Sequence, residues 1–376
     1  MSDGPRRMAF VIQTPKDEQS AVYIGYRSLA AALQELGYST TIVAPSDFPA
    51  VARFSGRWTP LVYPIAIASW LWTRRGRFDL VMFHSYSGWL ATTLTRGRPP
   101  ALVVFHGLEP LYHRELRAET ARSGGRLSAR YRVLQEVLMP LFLRIACRTA
   151  SGVACLNRRE AEYLTSRGWV SKRTLHVLAH GVPPEFFVSA RAARPIQTLL
   201  FVGQWLLMKG IRYLRDAATV LLGRDASLRL VCAGTLTAAD AVHAEFPAEL
   251  RNRIRVLPRV DQSTLAQLYR ESDVFIFPSL YEGFSRAIVE AMASRLPIVC
   301  TAVGVAADAL RDEHSALIVP KHDADALVTA VRRLQSDSAL AQRLANAAGD
   351  AARDYPLAAV SECTMNVILD AAGQRR

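Results

Sequence analysis

Short β-branched or apolar runs alternate with longer amphipathic segments along this chain of 376 residues, and the alternation occurs in two successive series. Parallel strands must be joined by crossovers of a dozen or more residues, usually helices, so the pattern predicts parallel sheets covered by helices. In the first series the predicted strands are Ala9–Gln13, Thr41–Ala44, Leu80–Phe83, Leu102–Phe105, Gly152–Leu156 and Thr174–Leu178. Between the first two, Ser28 to Leu36 has Leu and Ala at helical spacing and stops at Gly37, a suitable C-cap. A second series begins after the linker-like stretch from Val182-Pro183-Pro184 to about Pro195. Its strands are Thr198–Val202, Leu228–Cys232, Arg253–Val256, Val274–Phe277, Ile298–Cys300 and Ala316–Val319, followed by helices at Ala324–Leu334 and Ala339–Ala352. The chain is too long for one core of ordinary size. The reading is α/β: two doubly wound domains facing a central cleft, residues 1–190 and 191–356, with the last helix, within 357–376, packing back on the first. Ligands of such sheets sit beyond the carboxyl ends of the strands, here in the cleft.

The most apolar stretch, Leu61 to Trp72, is shorter than the roughly 18 to 20 residues of a membrane-spanning helix and contains Pro64. Met8 to Ile12 reads as a strand and is too short for a signal-peptide core, so a cytoplasmic location is expected. Cys147, Cys155, Cys232, Cys300 and Cys363 are scattered, with no C-x-x-C pair, and read as reduced thiols rather than a zinc site or disulfides. The net charge of +13 is uneven. Residues 1–190 hold 24 Lys and Arg against 13 Asp and Glu, and the remainder is nearly balanced. Such a surface attracts an anionic membrane, a nucleic acid or a phosphorylated acceptor; the alternative is arginine used on solvated faces. From Arg114 to Arg148 arginines interleave with Tyr131, Val133, Leu134, Val137, Leu138 and Leu141. The later half reads as core packing, and the Arg117–Arg132 portion as either a membrane-facing surface or an ordinary solvated one.

The segment that carries most chemistry runs from Phe277-Pro278-Ser279 through Glu282-Gly283-Phe284-Ser285-Arg286 to Glu290. A buried strand ends at Pro278, and a helix is predicted to start near Phe284. With mostly helical backbone between them, Glu282 and Glu290 would stand roughly 12 Å apart. That exceeds the about 5 to 9.5 Å between the carboxylates of a glycosidase and suits two anchors on one extended ligand. Amides of Gly283, Phe284 and Ser285 at the helix start offer a diphosphate site. Taken alone, Glu282 could cap the helix and Glu290 could face solvent.

This segment resembles the E-x7-E signature of the retaining glycosyltransferases of family 4, the glycogen-synthase and phosphatidylinositol-mannosyltransferase type, which have the GT-B fold of two Rossmann-like domains. Leu296-Pro297-Ile298-Val299 with Val303-Gly304, and Phe201-Val202-Gly203-Gln204 leading to Lys209-Gly210, resemble flanking family segments; the similarity runs from about Leu199 to Leu344. The resemblance implies a donor site of Gly203, Gln204, Lys209, Gly283, Phe284, Ser285, Arg286 and Glu290. It implies catalytic roles for Glu282, Lys209 and His106, the last as a cleft histidine near the donor sugar. Gln204 stands where the family has an Arg, so the leaving diphosphate lacks one cation, which Arg286 could replace. Ser20-Ala21 stands where relatives have a Gly-Gly loop, and with His84 marks the acceptor side. His180-Gly181-Val182 stands in place of the family's Asn-Gly-Val-Asp.

The expected function is therefore retaining hexosyl transfer from a nucleoside-diphosphate sugar to an acceptor hydroxyl of a glycan or lipid-linked acceptor. No cofactor and no metal are expected. The first domain would bind the acceptor and the second the donor. The alternative is a catalytically weakened GT-B protein acting as a partner subunit, supported by Gln204 and the absent glycines. A nucleic-acid binder or a sugar-nucleotide epimerase is disfavoured, because the motif of the first and the carboxylate pattern of the second are not found.

Overall fold

The computed structural model describes residues 6–17, 21–52, 59–95 and 97–373. The chain divides into two compact units, Met1–Leu178 with Ser361–Arg376, and Ala179–Val360. The first holds a parallel sheet of β1 (Arg7–Val11), β2 (Ser39–Val43), β3 (Leu80–His84), β4 (Ala101–Val104), β5 (Gly152–Cys155) and β6 (Leu175–Val177). Their order is β2-β1-β3-β4-β5-β6. β4 and β5 are buried along their whole length, as is all but the end of β3, because helices cover both faces; their sequences are accordingly unbroken apolar runs. The edge strand β2 alternates exposed and half-buried residues before ending at buried Val43.

The second unit holds β7 (Thr198–Val202), β8 (Arg229–Ala233), β9 (Ile254–Leu257), β10 (Val274–Phe277), β11 (Ile298–Cys300) and β12 (Leu317–Ile318), all parallel. The order is β12-β11-β10-β7-β8-β9. The chain runs outward from β7 to β9 and returns to the other side of β7 for β10, so the switch point lies between β7 and β10. Asp273 fixes that non-sequential pairing at its base, where its carboxylate accepts from the amides of Gln197 and Thr198 at 3.0 and 2.8 Å.

Two boundaries differ from the sequence expectation. The division falls after Leu178 rather than after residue 190, because the proline-marked stretch is built into the second unit. Val182 N–H donates to Tyr355 O at 2.8 Å, Phe186 is buried against Tyr269, and Val188 N–H donates to Ala293 O. The first helix is Ala21–Glu35 rather than starting at Ser28, since Tyr26 with Ala30 and Leu33 extends the buried face upstream. The terminal helix Leu357–Ala371 begins in the second unit, and its Ala371 lies beside Gly152 of β5 in the first. Four cysteines are buried and Cys363 is exposed. No helix among the described residues is long and apolar enough to cross a membrane.

Gly210 shows why the turn after β7 needs glycine. It has φ +70°, and a Cβ there would lie 1.9 Å from the carbonyl oxygen of Pro278, which follows β10. Gly210→Ala is expected to lose about 2 to 4 kcal/mol of stability, the sum of left-handed strain and overpacking against backbone. Denaturant unfolding measures it, and an unchanged midpoint would contradict this packing.

Candidate functional site

Past the carboxyl ends of β7 and β10, two loops are pressed together. Leu280 N–H donates to Met208 O at 2.8 Å, and the Ser279 hydroxyl donates to the same carbonyl at 3.0 Å. This seats Lys209, at the end of one loop, against Glu282 in the other, with Nζ and Oε1 2.7 Å apart. Oε1 also lies 2.7 Å from the Ser279 hydroxyl, within reach of the same proton as Met208 O, and Lys209 lies over the Phe277 ring at 5.6 Å. Glu282 is 10 % exposed and Lys209 25 %, so the pair is partly desolvated and stronger than a surface ion pair. No hydrogen bond or ion pair engages Oε2 of Glu282 among the described residues.

The next loop closes the site from the side. Gly304 has φ +53°, and a Cβ there would meet Phe284 O at 2.4 Å and Glu282 Cβ at 2.9 Å. Only glycine lets Val305 N–H reach Phe284 O at 2.7 Å. The helix itself starts at Arg286, two residues later than predicted, because Ser285 adopts a left-handed backbone, φ +78°, at the cap position. Gly283 and Phe284 are therefore loop residues, and the helical spacing assumed between the two glutamates does not hold. Ser285 is buried, and its hydroxyl has no hydrogen-bond partner among the described residues. A strained cap, an orphaned hydroxyl and a helix N-terminus together form a place for an anion.

Glu290 sits lower on that helix and is 4 % exposed. The Tyr269 hydroxyl donates to its Oε2 at 3.1 Å, and Arg286 lies 3.6 Å from its Oε1. Burial raises the Glu290 pKa, against the opposing pull of Arg286 and Tyr269. Arg286 is thus drawn toward Glu290, while Gln204 is exposed and its side chain makes no hydrogen bond among the described residues. Gly203, with φ +155°, ends β7 beside Lys209. His180 lies edge-on to Phe284, with centroids 5.1 Å apart.

The first unit carries a separate polar cluster at its own switch point, between β1 and β3. His84 ends β3 and His106 follows β4, with ring centroids 4.9 Å apart. Tyr26 Oη is 3.3 Å from His106 Nε2. Burial holds His106 down to about 4, and burial together with His106 holds His84 well below the usual histidine range, so both rings are neutral at pH 7. Ser85, with φ +54°, donates from its hydroxyl to Glu109 Oε1. Burial raises the Glu109 pKa to about 7 despite that hydrogen bond. Among the described residues His84 Nδ1 and Glu109 Oε2 are buried without partners, as is Gln13 Nε2 beyond β1. Of the acceptor-side residues expected from sequence, His84 belongs to this cluster, Ala21 opens a helix instead of a loop, and Ser20 lies outside the described residues.

Sequence reasoning missed Ser279, Tyr269, Ser85 and Glu109. Glu109 had a readable signal: like Glu282, it is an acid one turn beyond the carboxyl end of a buried strand. Tyr269 had none, since its contact with Glu290 spans two helices. Among the described residues, no group of three His, Cys, Asp or Glu side chains is placed to hold a metal ion.

Two doubly wound units, each with a parallel sheet and the second with a cation and a helix N-terminus at its switch point, define a two-domain α/β protein. Residues 25–186 match the Glycosyltransferase Family 4 model and residues 196–337 the Glycosyl transferases group 1 model. The chain belongs to the glycosyltransferases of the GT-B fold. It is 31 % identical over 171 residues to an uncharacterized glycosyltransferase of Methanocaldococcus jannaschii, covering 45 % of this chain and 44 % of that protein. It is 26 % identical over 336 residues to a D-inositol 3-phosphate glycosyltransferase of Streptomyces bingchenggensis, covering 82 % and 70 %. The chain thus spans less than half of the first relative's length. Sucrose-phosphate synthase of Thermosynechococcus elongatus shares the fold, with TM-score 0.74 at 18 % identity over 96 % of this chain and 98 % of that one. HepE of Anabaena in complex with UDP-glucose does so with TM-score 0.69 at 15 % identity, covering 97 % and 99 %.

Glu109 makes stability depend on pH in a defined direction. Its folded pKa of about 7 lies above the ordinary 4.5, so between those values the folded state binds more protons than the unfolded one. Stability is then lost as pH rises through that window, by up to about 3 kcal/mol, and levels off above it. His84 and His106, with depressed pKa values, act in the opposite sense below the ordinary 6.5. Glu109→Gln should therefore remove a falling component of melting temperature between pH 4.5 and 7, seen as the difference between variant and parent. Parallel curves would show that Glu109 is ionised throughout.

Proposed function

We propose that the chain is a retaining, metal-independent glycosyltransferase that moves a hexosyl group from a nucleoside-diphosphate sugar to an acceptor hydroxyl, in the synthesis of a cell-surface glycan or glycolipid. The observation that carries this reading is the Lys209–Glu282 pair at the second unit's switch point, beside the unpartnered Ser285 hydroxyl. Lys209 and the first amides of the helix from Arg286 would take the diphosphate, Glu282 Oε2 would accept from a sugar hydroxyl, and Glu290 would hold the ribose. As the bond from the anomeric carbon to the diphosphate oxygen breaks, negative charge grows on the diphosphate, where Lys209 stabilises it. The acceptor oxygen bonds to the anomeric carbon on the face the diphosphate leaves, and the acceptor proton passes to a phosphate oxygen. In this reading His106 contacts the donor sugar, and the cluster of His84 and Glu109 takes acceptor hydroxyls. The UDP and UDP-glucose complexes of HepE make a UDP-sugar the first donor to test. A protein working at the cytoplasmic face of the membrane on a glycan or lipid-linked acceptor fits the arginine-rich first unit.

A second reading has a specific observation behind it. Gln204 supplies no charge and Arg286 is turned toward Glu290, so a protein that binds donor without transferring it is the alternative.

Thermal shift with UDP-, GDP-, ADP- and TDP-sugars should single out one donor, by about 2.7 kcal/mol at a hundredfold excess over its dissociation constant. With that donor, Lys209→Ala and Glu282→Gln should each lower the rate of donor hydrolysis or transfer by about 10²- to 10³-fold. Undiminished turnover in both variants would sink this placement. A donor shift without turnover in the parent would establish the second reading.

A further inference from the structure

The first unit carries a basic face that takes no part in the chemistry of the proposed transfer. Between Arg114 and Arg148 the sequence places eight arginines against three glutamates. Of those acids Glu119 is buried, and Glu136 pairs with Arg117 at 2.8 Å. Arg117, Arg126 and Arg132 line one cavity of about 360 Å³ together with Thr120. Arg126 and Arg132 are exposed, and neither pairs with a described carboxylate. Guanidinium groups converging on one cavity suit a phosphate, which accepts several charge-assisted hydrogen bonds at once.

Directly beyond Arg132 the chain turns apolar on its outer side. Ala129–Arg132, the π-helical Val133–Leu138 and Met139–Thr149 form one continuous helical run. Its inner side buries Met139, Leu143 and Ala146 and stacks Phe142 on Trp89. Its outer side presents Val133, Val137 and Leu141, four residues apart, with exposures of 56, 59 and 47 %. Leu94, on the helix Trp89–Thr95 packed against this run, is likewise half exposed.

A nucleic acid would use the arginines and leave the aliphatic stripe in water. An apolar protein surface would cover the stripe and oppose nothing to the charge. An anionic bilayer satisfies both, because its phosphates and its acyl boundary lie within a few ångströms of each other. We propose that the face from Arg117 to Leu141 docks on an anionic membrane, with a lipid phosphate in the three-arginine cavity and Val133, Val137 and Leu141 in the acyl boundary. The docking is independent of the donor site, which belongs to the other unit.

The test is co-sedimentation of the full chain with vesicles of phosphatidylcholine alone and of phosphatidylcholine with phosphatidylglycerol. Binding is expected to the second kind only, and to fall steeply with added salt. R126E/R132E should reduce partitioning about tenfold or more. V133S/V137S/L141S should weaken it while leaving the salt dependence. Circular dichroism melting reports folding of each variant, and R126A/R132A replaces the charge reversal if that one unfolds. Equal binding to both vesicles, or binding that neither set of substitutions changes, overturns the proposal. So does a site that inorganic phosphate or duplex RNA occupies with the same arginine dependence while vesicles do not bind. The donor-induced thermal shift should persist in these variants, so loss of docking and loss of donor binding are read separately.

Discussion

The second unit depends on a close approach of backbone to backbone. The turn after β7 lies against the loop after β10 so tightly that Gly210 leaves no room for a Cβ against Pro278 O, and Gly304 leaves none against Phe284 O. Three loops from three strands thereby converge, and Lys209 meets Glu282 with Ser279 beneath it. The ion pair is a consequence of that approach. Removing Lys209 would leave a nearly buried carboxylate with only a hydroxyl for company, a costly arrangement.

The two units place different chemistry at corresponding ends of their sheets. In the second, a cation, a strained cap and an unfilled hydroxyl favour a negatively charged ligand. In the first, two neutral imidazoles and a carboxyl that titrates near neutrality favour hydroxyl groups, which donate and accept without carrying charge. The difference has one physical root. The first cluster is buried among partners that do not compensate charge, whereas Glu282 has Lys209 within hydrogen-bond reach.

Much of this was legible because parallel strands covered on both faces must be apolar along their whole length. Thr198–Val202, Val274–Phe277 and Ile298–Cys300 were readable to the residue for that reason. Edges and caps were harder. Ser285 interrupts the helix through a left-handed backbone that no residue type announces, so the start was displaced from Phe284 to Arg286. The proline-rich join at residues 182–184 looked like a linker, but Val182 pairs with Tyr355 across the whole length of the second unit. Glu290 looked like a solvent-facing helix acid or a ribose anchor, and only packing shows it buried with Tyr269 behind it.

Periodicity and turn chemistry are local, so the two α/β series, the apolar strands, and the segment in which Glu282, Gly283 and Glu290 follow a buried strand were all legible in the order of residues. That order also determined the concentration of arginine in the first half of the chain. The tertiary structure decided what those residues meet. It set Lys209 on Glu282, put Ser85 on Glu109, left the Ser285 hydroxyl without a partner, and exposed Val133, Val137 and Leu141 beside Arg132. Each of these is either a contact between segments far apart in the chain or a failure to make one, and neither is encoded in local spacing. Strand order and the close approach of glycine backbones fix both.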